Sequence, residues 1–130
     1  MIVLCGYCDK PALLVSGEEV YPRRKDLHHL KFWMCEPCEA WVGCHVNSGC
    51  QPLGILANKD LRKAKSAAHS LFDPIWKDGI MSRKGAYRWL AESLNISSDK
   101  CHIGMFDEEM CGKVCEVCED FFYHLREKVN

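Results

Sequence analysis

The polar and apolar positions change rhythm midway along the chain. Pro11-Ala-Leu-Leu-Val-Ser16, Val20-Tyr21 and His29-Leu-Lys-Phe-Trp-Met34 are short apolar or partly alternating runs separated by turn-forming residues. Such runs predict three strands, the first two joined by a turn at Ser16-Gly17. Trp41-Val42 is read as a continuation of the third strand. Tyr21-Pro22-Arg23-Arg24-Lys25-Asp26 reads as a loop, because Pro22 cannot serve in a central strand. Residues 46–57 carry Gly and Pro and read as a connector.

From Asn58 onward the period becomes helical. Leu61, Ala64, Ala68, Leu71 and Phe72 recur at three- and four-residue spacing, with Asn58 or Asp60 as cap. Pro74 predicts an end near Asp73. Ser82 caps a second helix over Arg83–Leu94, and Ser97-Ser98-Asp99 offers a further start that Gly104 interrupts. Asp107 caps a last helix to about Lys128, with Met110, Val114, Val117, Phe121 and Leu125 as its main stripe. The fold class expected is α+β. A three-stranded ribbon over residues 1–50 packs with a bundle of three or four helices over residues 51–130, as one compact unit.

Cysteine is the outlier in composition, at ten of 130 residues. Cys5-x2-Cys8 and Cys35-x2-Cys38 pair two tight turns that each aim two thiolates at one point. That is the donor set of a structural Zn²⁺, and it replaces the core so short a β-segment cannot build. Met1-Ile-Val-Leu4 lacks the basic start and apolar length of a secretory leader, and no stretch has the length of a membrane span. A reducing cytoplasm is expected, where thiols persist as metal ligands.

Six cysteines remain. Cys111, Cys115 and Cys118 share a helix face and are expected to pack as small hydrophobes. The dipeptides Cys44-His45 and Cys101-His102 can each offer one ligand, His69 and Asp73 stand at i, i+4 on one helix face, and Asp107 lies near His102 in sequence. His45, His69, Asp73, His102 and Asp107 therefore form a candidate second metal or catalytic cluster, of the kind a metal-dependent nuclease or hydrolase uses. Core or interface histidines are the plainer alternative.

The net charge of −1 hides a division. Residues 57–100 carry nine Lys/Arg against five Asp/Glu, whereas residues 101–130 carry three against seven. Arg23, Arg24 and Lys25 on the loop, Lys59, Arg62, Lys63 and Lys65 on the first helix, and Arg83, Lys84 and Arg88 on the second are candidate contacts to nucleic acid or a partner.

Several runs are distinctive together: Trp41-Val-Gly-Cys-His45, Pro52-Leu-Gly54, Ala68-His69-x-x-Phe72-Asp73-Pro74-x-Trp76, Ala86-Tyr87-x-Trp89-Leu90-Ala91 and Cys101-His-Ile-Gly-Met-Phe-Asp107. From Cys5 to about Cys111 the chain resembles a zinc-finger-containing family of unknown function found in bacteriophages and prophages. The resemblance implies a zinc at the four cysteines and residence in the host bacterial cytoplasm. The function expected is a zinc-stabilised accessory protein that contacts nucleic acid or a host nucleic-acid-processing factor. The alternatives are the small hydrolase and a protein-interaction module that inhibits a host defence component.

Overall fold

The computed structural model describes residues 1–129, which form two compact units that meet at Arg62 and Lys63. The first holds a three-stranded antiparallel sheet in the order β1 (Leu13–Ser16), β2 (Lys31–Cys35), β3 (Ala40–Gly43). Leu14 pairs with Trp33, and Trp33 with Val42. The connector after β3 folds back on that strand. Ala57 and Trp41 exchange backbone bonds of 2.9 and 3.1 Å, and Cys44 bridges to Pro52. The outer side of β3 is thereby covered, and the ribbon extends to the start of the first long helix.

Two strand expectations need correction. Val20-Tyr21 is not a strand: Gly17–Val20 makes a single helical turn, α1. Gly17 decides this. Its N–H donates to the Leu30 carbonyl at 2.8 Å, and a Cβ built on it would lie 1.7 Å from the Leu27 oxygen. The backbones come so close that the chain must turn there. Gly17→Ala should therefore lower the ribbon's stability by about 1–3 kcal/mol or more, as overpacking does, read as a fall in the denaturation midpoint. Trp41-Val42 does not prolong the preceding strand. The second cysteine pair reverses the chain between β2 and β3, with the Glu39 N–H closing on the Glu36 carbonyl at 3.0 Å.

The ribbon's core is small. Cys5, Ala12, Trp33, Cys35, Ala40 and Leu56 are buried together, and two of these six are cysteines of the metal motif.

The helices are α2 (Lys59–Lys77), α3 (Arg83–Leu94) and α4 (Glu108–Val129). Asn58 accepts the Leu61 N–H at 3.0 Å, Ser82 the Gly85 N–H at 3.0 Å, and Asp107 the Met110 N–H at 2.9 Å. Each cap satisfies an N–H that a helix start leaves unpaired. α2 runs through Pro74 instead of stopping there. The proline leaves the Ser70 carbonyl without its helical donor, but Ser70 is exposed, so water can supply one. Beyond it, fully buried Ile75 rewards the extra turn.

In the second unit Phe72 and Ile75 of α2, Leu90 of α3 and Val114 of α4 are all fully buried. The rings of Phe72 and Tyr87 meet edge to face at 4.8 Å, linking α2 to α3, and Trp89 meets Phe121 at 5.0 Å, linking α3 to α4. The inward stripe of α4 is Cys111, Val114 and Cys118, not Met110, Val117 and Leu125, which are only half-buried. Burial pushes the Cys111 thiol up and the Cys118 thiol up to about 12. Both stay neutral and pack as small apolar groups.

Candidate metal centre

The two Cys-x2-Cys turns are built alike. In the first, the Cys5 N–H reaches the Lys10 carbonyl at 2.9 Å and the Asp9 N–H the Cys5 carbonyl at 2.8 Å. In each, the residue after the second cysteine adopts a left-handed backbone, Asp9 at φ 61° and Glu39 at φ 50°. Asp tolerates that region, whereas Glu39 pays a cost of about 1–2 kcal/mol. The sequence carries no glycine there to announce the turn.

The strands bring the turns together. All four sulfurs, of Cys5, Cys8, Cys35 and Cys38, lie within 4.8 Å of one another, and the Cys8 and Cys35 Sγ atoms are 3.7 Å apart. Zinc–sulfur bonds of roughly 2.3 Å in a tetrahedron place sulfurs roughly 3.8 Å apart. A disulfide would need about 2.05 Å. The donor set therefore fits zinc in both spacing and chemistry, and the protein holds one structural Zn²⁺ there. Four thiolates fill its coordination, so this ion has no position open for substrate.

Thiols so crowded cannot all ionise by themselves. The Lys10 backbone N–H draws the Cys8 thiol below its ordinary value. The Cys35 sulfur beside it, and then burial, push Cys38 up to about 12. A dication supplies the charge that lets all four ionise, so zinc uptake releases protons and weakens in acid.

The other candidate residues are differently placed. His69 and Asp73 do meet, Nδ1 to Oδ1 at 3.2 Å on one face of α2. Asp107 caps α4, exposed His102 precedes a short 3₁₀ turn, and the backbone of exposed His45 donates to the Gln51 carbonyl at 2.8 Å. Among the described residues, the four cysteines are the sole set of three or more metal-ligating side chains close enough to share an ion.

The cations divide by what they touch. Arg24 is paired with Asp26 at 2.8 Å. Arg62 stacks 3.7 Å above the Trp41 ring and donates to the Ala57 carbonyl at 2.6 Å. Lys65 donates to the Gly104 carbonyl at 2.6 Å, and burial lowers its amine below the usual lysine range. Arg83 lies over both Trp76 and Tyr87, at 5.3 and 5.0 Å. Arg23, Lys25, Lys59, Lys63, Lys84 and Arg88 are exposed. Sequence reasoning found the cations but not the rings beneath two of them, because Trp41–Arg62 and Trp76–Arg83 are contacts between elements.

A family model described as a zinc-finger-containing domain matches residues 1–121. No curated protein and no solved structure shows significant similarity to the chain. Among the described residues no helix is long and apolar enough to cross a membrane.

Proposed function

Since the chain belongs to that family of zinc-finger-containing domains, we propose that it is a zinc-stabilised binding protein whose helical unit holds nucleic-acid phosphates. One observation carries the reading: the start of α3 is cationic at the wrong end for a helix. Its first turn holds Arg83 and Lys84 and no acid, and Arg88 follows one turn later. The N-terminus of a helix is already positive, so each added cation costs about 0.3–1 kcal/mol that an acid would have returned. An anionic partner offsets that cost.

The surroundings suit such a partner. Lys84 and Arg88 sit four residues apart and exposed, so they share a face. Arg83 lies 5.3 and 5.0 Å from the Trp76 and Tyr87 rings, an aromatic and cationic group of the sort that accompanies phosphate contacts to exposed bases. The metal end of the ribbon is less suitable. A zinc ion with four thiolates is a net anion, and Glu36 and Glu39 stand exposed on its second turn.

The test is titration of labelled single-stranded and duplex DNA and RNA across a salt series. Binding should weaken steeply with salt. Lys84→Ala with Arg88→Ala should cut the slope of log K against log salt by about two, one for each lost phosphate contact. Absence of binding at low salt would instead favour a protein partner, and an unchanged slope in the double variant would remove the start of α3 from the interface.

A further inference from the structure

The connector covers the β3 side of the sheet, but the β1 side ends in an open edge. Leu4 bridges antiparallel to Pro11, the Ala12 N–H donates to the Val3 carbonyl at 2.7 Å, and the Cys5 N–H donates to the Lys10 carbonyl at 2.9 Å. Residues 1–4 therefore run beside the segment that leads into β1 and form the ribbon's outermost row. In an antiparallel pair the backbone groups of successive residues aim alternately to the two sides. Val3 and Cys5 aim theirs inward, so the N–H and C=O groups of Ile2 and Leu4 aim outward. Among the described residues no backbone group pairs with them. The side chains alternate as well. Val3 packs against the ribbon's core cluster, and Ala12 across from it belongs to that cluster. Ile2, Leu4 and Leu13 stand on the opposite face, where they are 79%, 55% and 70% exposed. Edges that face water are ordinarily guarded by a charge or a proline. Met1-Ile-Val-Leu4 has neither.

We infer that two copies of the chain associate through this edge, residues 1–4 of each lying antiparallel about a twofold axis, with Ile2 of one copy opposite Leu4 of the other. The register follows from which groups are free. Ile2 and Leu4 each present an N–H and a C=O outward, and pairing Ile2 with Leu4 of the second copy engages every one of them. Pairing like with like would leave half of them unused. The same register sets Ile2 beside Leu4 of the second copy on one face, apolar against apolar, with no charged side chain brought against another. The edge thus matches itself, as a twofold contact requires. Leu13 follows in the next row, so the two copies share one apolar stripe. The two three-stranded sheets become one continuous sheet, and the exposed backbone edge of each disappears.

The experiment is sedimentation equilibrium of the zinc-loaded full chain from about 10 µM to about 1 mM, a span suited to a contact of small area. The dimer should grow with concentration and predominate at the upper end. Ile2→Pro removes an outward N–H from each copy and leaves the Val3–Ala12 bond in place. It should lower the association constant by roughly tenfold or more. Ile2→Lys combined with Leu4→Lys sets like charges opposite each other across the edge and should leave only monomer. Both positions are exposed, so zinc content and far-ultraviolet circular dichroism should match the unsubstituted chain. A monomer at every concentration would overturn the inference and leave the edge to an extended segment of another protein. A dimer that persists unchanged in the lysine pair would overturn it too, because a different surface would then hold the copies together. A dimer weakened by the lysine pair but not by Ile2→Pro would also contradict it, since side-chain contact without backbone pairing would explain that result.

Discussion

Cys35→Ser should abolish zinc binding and unfold the ribbon. The expectation follows from what the ribbon is made of. Its buried cluster is six residues, and Cys5 and Cys35 are two of them. The cluster's other members, Ala12, Trp33, Ala40 and Leu56, with Phe32, Ala57 and Leu61 buried elsewhere in the unit, are too few to offset the entropy of ordering the strands at about 1–2 kcal/mol per residue. Structural zinc contributes about 10–16 kcal/mol of apparent binding energy in comparable small sites, and that energy is folding energy. A serine at position 35 removes one of four ligands and leaves a hydroxyl where burial is nearly complete, with 5% of the residue exposed. Zinc content should fall from one per chain to near zero. Trp33, 8% exposed in the folded ribbon, should shift its fluorescence to that of solvated indole. Cys115→Ser, half-buried on α4 and remote from the metal motif in sequence, should keep its zinc. Full zinc content with an unshifted Trp33 signal in Cys35→Ser would refute the assignment.

Phe72→Ala should destabilise the helical unit by about 3–5 kcal/mol, the usual cost of emptying a fully buried aromatic position. Phe72 is 0% exposed, its ring meets Tyr87 edge to face at 4.8 Å, and the substitution removes both the packing and the ring contact between α2 and α3. Against a total stability of about 5–15 kcal/mol for a small domain, this is a large fraction. Urea denaturation followed by far-ultraviolet circular dichroism reads it directly as a lowered midpoint. Met105→Ala is the matched control: Met105 is 56% exposed and should change stability by no more than about 0.5 kcal/mol. A loss below about 1 kcal/mol for Phe72→Ala would mean that the core is not centred on this ring.

The parts of this fold governed by short-range chemistry were legible in the sequence. The helix over Arg83–Leu94 begins at Ser82 because a hydroxyl at that position reaches the Gly85 N–H, and both ends can be read from residue types alone. Asn58 and Asp107 announce their helices in the same way. The four metal ligands follow from spacing, because two tight turns and one tetrahedral ion impose a common geometry.

What escaped depends on packing between distant segments. Gly17 makes a helical turn because the Leu27 and Leu30 backbones press against it. Pro74 fails to end α2 because burial of Ile75 outweighs one missing hydrogen bond. The inward face of α4 is cysteine-rich, and hydropathy alone favoured the larger Met110 and Leu125. Of the histidine and carboxylate candidates, only the pair at i, i+4 on one helix, His69 and Asp73, could be placed together without tertiary knowledge.

Zinc K-edge X-ray absorption on the purified chain, with the metal quantified on the same sample, tests the central claim most directly. One zinc per chain with four sulfur neighbours at roughly 2.3 Å is the result expected from the Cys5, Cys8, Cys35 and Cys38 cage. A folded chain without zinc, or a first shell containing nitrogen or oxygen in place of any of the four sulfurs, would contradict it.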